Sequence, residues 1–202
     1  MTTRIITLPY EWSGAMSNAW TSSPKPSDYF NMVGWRYSSA PEYTPEKYNI
    51  FLKFNYAAMI GKRMSKVVSA TLKIQSYVYD TTVNTTIHEV LKPATNNGTW
   101  LTYDGNNNWN TPGAFGANVD YNPSQLAAVS FPNIAYVWNS IPLSISGLSS
   151  VFTNNHALII FPPATMPESY GRNSLYLNWD THKPYIEIEY KSSATTGDAT
   201  IF

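Results

Sequence analysis

"VVSATLKIQSYV", Val67 to Val78, alternates between apolar and polar residues along its length. A period of two places neighbouring side chains on opposite faces, so this pattern predicts a half-buried β-strand. Val68, Ala70, Leu72, Ile74 and Val78 fall on one face, with Ser69, Thr71, Lys73 and Gln75 on the other. Reading outward, "NIFLKFNY" (49–56) places Ile50, Leu52, Phe54 and Tyr56 together. "PYIEIEY" (184–190) turns Ile186, Ile188 and Tyr190 inward and Glu187 and Glu189 outward. "SLYLNW" (174–179) and "IAYVWN" (134–139) read the same way. "ALIIF" (157–161) is continuously apolar, the mark of a central strand covered on both faces.

Prolines and glycines cut the remainder too often for long helices. One helix is predicted over Ser146–Asn155, where Ile145, Leu148 and Phe152 recur at helical spacing. Ser146 can cap its start, and Asn154 or Asn155 can end it. Many short strands and one helix predict an all-β domain, a sandwich or a barrel.

The 202 residues carry 13 basic and 13 acidic side chains and no cysteine. Zero net charge offers no electrostatic footprint for nucleic acid or an anionic membrane. The lack of cysteine excludes a disulfide framework, zinc–thiolate binding and a thiol nucleophile. The N-terminal "MTTRIITLPYEW" shows no apolar run of signal-peptide length, and no stretch is long enough to cross a bilayer as a helix. A soluble protein without a classical export route is therefore expected. With 13% charged residues, the polar surface is built from Ser, Thr, Asn and Tyr, a style suited to secreted β-proteins and virion proteins.

The order of these segments resembles the DNRLRE-type β-sandwich family. "NIFLKFNYAAMIGKRMSKVVSATLKIQSYVYD" is similar to its L-x-K-F-D strand followed by S-A-T-L-x-L. "TTIHEVLKPATNNGTWLTYDGNNNWNTPGAFGANVDY" resembles its next strand, T-W, and G-x-x-W and G-A loop. "LSISGLSSVFTNNHALIIF" resembles its helix and buried strand, and "SLYLNWDTHKPYIEIEY" its final hairpin, with Lys183-Pro184 in place of Arg-Pro. The resemblance covers about Ile5 to Tyr190. It implies a jelly-roll-like sandwich of two antiparallel sheets with one short helix, of a kind found in carbohydrate-binding modules, bacterial surface proteins and phage structural proteins. It implies no catalytic residues. Residues 1–190 then form one domain, with an aromatic, proline-rich insert at about 12–48 and a C-terminal arm at 191–202.

The stretch "TWLTYDGNNNWNTPGAFG" (99–116) holds the densest chemistry. Asp104, Asn106 and Asn108 begin an EF-hand pattern, but Trp109 and Phe115 stand where glycine and a bidentate glutamate are required, so no metal site is expected. Trp100, Tyr103, Asp104 and Trp109 are candidate glycan-binding residues, because indole and phenol faces stack on sugars while Asn and Asp bond hydroxyls. The competing reading makes the aromatics the loop's own small core. In either case Trp100 is expected to be buried, and Trp109 and Tyr103 to be exposed.

No G-x-S-x-G elbow or H-E-x-x-H cluster occurs. His88 and Glu89 read as cross-strand polar partners, and Lys62, Arg63 and Lys66 as a solvated turn. Trp12, Trp20, Tyr29, Phe30, Trp35 and Tyr37 in the insert, with Ile201 and Phe202 in the arm, are candidate assembly-interface residues. The expectation is a non-enzymatic bacteriophage virion protein without cofactors: a capsid decoration, head appendage or tail accessory protein. Its partners would be other virion proteins and further copies of itself, with host or environmental glycans as additional ligands. The alternative is a carbohydrate-binding module or adhesin at a cell surface.

Overall fold

The computed structural model describes residues 2–18, 20–25, 32–37, 45–78, 82–132, 134, 136–162, 173–177 and 182–192. Its strands are β1 (Thr2–Ser17), β2 (Trp20–Lys25), β3 (Met32–Tyr37), β4 (Pro45–Phe54), β5 (Val67–Val78), β6 (Val83–Glu89), β7 (Ala127–Phe131), β8 (Val137–Pro142), β9 (Leu158–Phe161), β10 (Asn173–Leu177) and β11 (Tyr185–Ser192). Among the described residues one α-helix, α1, spans Ile145–Asn154.

The expected pair of sheets is not what forms. All 11 strands among the described residues join one antiparallel sheet. Its main path runs β8–β5–β11–β1–β4–β9–β6–β7, and β7 and β8 end side by side with no ladder recorded between them. Eight strands thus curl into a nearly closed barrel rather than a two-sheet sandwich. β3 and β10 form a second bridge from β4 to β5, and β2 pairs with the end of β1.

The cause lies in β1. Its first half, Thr2–Pro9, pairs with β11; its second half, from Tyr10 to Ser17, pairs with β4. A bulge at Glu11 interrupts the register between Tyr10 and Trp12. Such an extra residue bends a strand and increases its twist. A 16-residue strand bent in this way joins two would-be layers into one ladder. The segment expected as an insert outside the alternation, about 12–48, therefore supplies the second half of β1, all of β2 and β3, and the start of β4.

The inward face follows the alternation. Leu52, Phe54, Leu72, Ile186 and Ile188 are fully buried, and Ile74 almost so. Val68 is an exception, at 40% exposure. Glu189 opposes Ser69 but Tyr190 opposes Val67, so Val68 is the unpaired residue of a bulge, and Val67 turns inward instead. Gln75, expected outside, is buried, and its amide donates to the Tyr136 carbonyl at 3.3 Å.

β4 and β9 are covered on both sides. Ile50, Leu52, Leu158 and Ile160 face the barrel core. Phe51, Ile159 and Phe161 face a second cluster with Met16, Val90 and Trp109. The continuous apolar run of "ALIIF" has this two-sided burial as its physical reason.

Helix α1 lies one residue earlier than expected. Ser144, not Ser146, occupies the N-cap, and its hydroxyl meets that of Ser146 at 3.0 Å rather than a backbone amide. Asn155 ends the helix in the left-handed region at φ 54, ψ 37, a conformation Asn tolerates better than most residues. Leu148 and Val151 pack into the barrel core.

Candidate functional site

Residues 90–126 connect β6 to β7 and lie against the outer face of β4 and β9. Such a long connection needs internal partners for its backbone. Asp120 supplies several. It has no solvent exposure, and its carboxylate accepts the amides of Asn110 at 2.8 Å, Thr111 at 2.9 Å and Gly116 at 3.0 Å. A side chain at Gly116 has no room, because its Cβ would stand 2.5 Å from Asp120 Oδ2.

Asp104 shapes the tip. Its Oδ1 accepts the Asn106 and Asn107 amides at 2.9 and 2.7 Å, and its Oδ2 accepts the Asn107 side chain at 2.7 Å. These bonds stabilise the charged form and lower its pKa. The D-x-N-x-N pattern here is an Asx turn. Among the described residues no group of three or more His, Asp or Glu side chains is placed to hold a metal.

Trp109, expected to be exposed, is 4% exposed. Its ring stacks on Phe51 at 5.4 Å and 11°, and its Nε1 donates to the Thr99 carbonyl at 3.0 Å. An indole sealed in this way cannot offer a face to a sugar. Tyr103 is half-buried against Trp109, with ring centroids 5.6 Å apart. Trp100, expected to be the buried ring, is only half-buried, edge-on to Phe115 at 5.8 Å. The four candidate glycan residues thus form the loop's internal packing and its tip, not a platform.

The loop builds a groove elsewhere. Asn84, Thr86 and His88 recur at every second position of β6 and share its outward face. Thr86 is flanked by Phe161 on β9 and Ala128 on β7. Loop residues Phe115 and Tyr121 stand over this row. Phe115 stacks on Phe161 at 5.1 Å, and Tyr121 meets Phe161 edge-on at 4.9 Å and His88 at 5.1 Å. Lys47 reaches from β4 to sit 3.9 Å from the Phe115 centroid, and burial lowers its pKa. The groove encloses about 710 Å³, with Gln125 and Ser130 on its rim. That volume lies within the usual range for small-ligand sites.

His88 is 5% exposed. Its Nδ1 lies 2.9 Å from the Asn122 carbonyl, which can only accept, so Nδ1 carries the proton. Neutral Nε2 is then an acceptor, and no partner for it is found among the described residues. Burial lowers the pKa of His88, partly offset by the Asn122 bond. Glu89 faces the other way and is 1% exposed; it accepts Ser150 Oγ at 2.6 Å and Asn122 Nδ2 at 3.2 Å and pairs with His156 Nδ1 at 2.8 Å. The ladder partners of His88 and Glu89 are Ile159 and Leu158, so the two residues are not cross-strand polar partners.

The candidate assembly residues are dispersed. Trp12 is half-buried against the second cluster. Trp20 lies in β2, and Trp35 and Tyr37 in β3; their side chains, together with Tyr29, Phe30, Ile201 and Phe202, lie outside the described residues. Lys62 and Arg63 are exposed in the turn between β4 and β5, and Lys66 is half-buried. A different group of apolar side chains is exposed: Ile134, Tyr136 and Trp138, at 52%, 64% and 41%, leading into β8. The alternation in "IAYVWN" predicts one face for these three, but Ile134 and Tyr136 precede β8, Tyr136 in left-handed backbone at φ 52, and Trp138 lies within the strand. It does not say that Val137 and Ile141 take the inner one. No family model matches the chain, and no curated protein matches it.

Proposed function

We propose that the protein is a non-enzymatic structural component of a bacteriophage virion, a decoration, head-appendage or tail-accessory protein that acts by protein–protein contact. The observation that carries this reading is the exposure of Ile134, Tyr136 and Trp138 in and just before β8, beside the open end of the sheet. Large apolar and aromatic side chains grouped on a surface mark contact sites, and Trp and Tyr are favoured there. Among the described residues β8 pairs with β5 alone, which leaves backbone groups on its other edge for a neighbour. The test is co-purification with assembled particles on a density gradient. A fixed copy number is expected, lost in the Tyr136→Ser/Trp138→Ser double variant. Absence of the native protein from particles would refute the reading.

The groove favours a second reading, carbohydrate binding. It combines ring faces with hydroxyl and amide groups, a lining suited to a polar ligand with apolar patches.

A further inference from the structure

We infer that the groove between β6, β7 and the 109–122 loop is a saccharide site in which His88 Nε2 accepts a hydrogen bond from a ligand hydroxyl. The inference rests on the carbohydrate-binding reading and is independent of particle assembly. Its basis is a ring held in the groove wall at 5% exposure, with Nδ1 fixed on Asn122 and Nε2 left accessible without a partner among the described residues. Among the described residues the one buried side-chain atom without a partner is Asn49 Oδ1, so His88 Nε2 is not sealed but opens on the groove, where a ligand can reach it. Here the complement must be a donor, because the Asn122 carbonyl fixes the proton on Nδ1.

The rest of the lining narrows the class. Phe115, Tyr121 and Phe161 present aromatic surface, which suits the C–H face of a pyranose ring. Gln125, Thr86 and Ser130 offer uncharged donors and acceptors around it. Among the described residues Lys47 is the only Lys, Arg, Asp or Glu in the lining, and its ammonium already lies over Phe115. With no carboxylate and one engaged cation among the described lining residues, the fitting ligand is an uncharged saccharide. Phosphate or polyanion binding would call for several cations.

The groups facing His88 are Tyr121 from the loop, Phe161 from β9 and, along the same groove, Lys47 from β4; Glu89 points to the opposite face. Among the described residues none of these is an anion that would hold His88 charged. Protonating Nε2 turns the acceptor into a donor, so affinity falls as pH drops through the lowered pKa of His88.

The test is NMR titration of the full chain with cellotriose, maltotriose and chitotriose, and with trigalacturonate as the acidic arm. At least one neutral trisaccharide should give saturable shifts at His88 and Tyr121. Affinity should drop about tenfold in His88→Leu, the equivalent of one lost hydrogen bond. It should drop several-fold in Gln125→Ala, a rim change that leaves the fold alone. The neutral-sugar affinity should also fall on acidification in the native protein but not in His88→Leu. If none of the neutral sugars shifts these residues, or trigalacturonate alone does so, the inference is overturned. Shifts confined to the Trp138 face would overturn the groove assignment while keeping carbohydrate binding. Particle co-purification reads neither outcome, so the two proposals fail separately.

Discussion

Asp120 organises more backbone than any other side chain in the long loop. Three amides converge on a carboxylate that water does not reach. Each bond to a charged group contributes roughly 1.5–3 kcal/mol, and orphaning a buried amide carries a further cost. Asn110 and Thr111 are exposed enough for water to replace part of the loss. Asp120→Ala is therefore expected to destabilise the protein by about 2–4 kcal/mol in urea denaturation, and Asp120→Asn by less. Gly116→Ala should resemble Asp120→Ala, because its Cβ would displace the carboxylate. A loss under about 0.5 kcal/mol for either alanine variant, the range of neutral surface changes, would show that the loop does not depend on this clamp. The sequence marks Asp120 as one acid among 13 and has no periodicity there to reveal its role. Trp109 was illegible for the same reason. In a loop without a repeat, composition identifies an aromatic but not the surface it rests on, and Phe51 lies on a strand face read as outward.

At the scale of elements, alternation was a good guide to which residues share a face and a poor guide to whether the second face is also covered. Lys53 shows the gap. It alternates with Leu52 and Phe54 as a solvent-facing residue would, yet it is 5% exposed. Its ammonium donates to the Asn155 carbonyl at 2.8 Å and to Asn155 Oδ1, and lies 4.1 Å from the Tyr56 ring centroid. It thereby ties β4 to the left-handed residue that ends α1. Burial lowers its pKa from 10.5 to about 8, with Glu11 opposing the shift. The folded state thus releases this proton first, and between pH 8 and 10.5 the unfolded chain binds more protons than the folded one. Lys53 therefore contributes a rise in stability across that window. Melting curves of native protein and Lys53→Met, taken from pH 7.5 to 10.5, should converge at the acid end to a different offset than at the alkaline end, the native protein gaining on the variant as pH rises. A constant offset would show that Lys53 keeps an ordinary pKa. On the inner face the expectation is simpler. Leu72→Ala removes side-chain volume from a fully buried site and should cost about 2–5 kcal/mol.

For the whole molecule, β1 decides the architecture, and it was the strand hardest to read. Its first half alternates weakly, with Thr2–Ile5 exposed, and its second half is buried from Ser13 to Ser17 regardless of polarity. No single period describes it, since the two halves pair with different strands and a bulge at Glu11 shifts the phase between them. The parts with clean periods, β5 and β11, are compatible with either a sandwich or a barrel. Only the strand that joins them discriminates. This joining has a consequence for unfolding. β4 and β9 present one face to the barrel core and the other to the loop cluster, so neither cluster can lose its packing without stripping a face from the same two strands. Shared strands predict one cooperative transition. Far-UV circular dichroism follows the sheet, and the NMR resonance of 5-fluorotryptophan at position 109 follows the loop cluster, because that ring rests on Phe51. The two urea curves should share one midpoint, and Asp120→Ala should move both together. If the Trp109 signal were lost first, the loop would be a separately folding layer. The groove walls, Phe115 and Tyr121, would then open while the sheet stays intact.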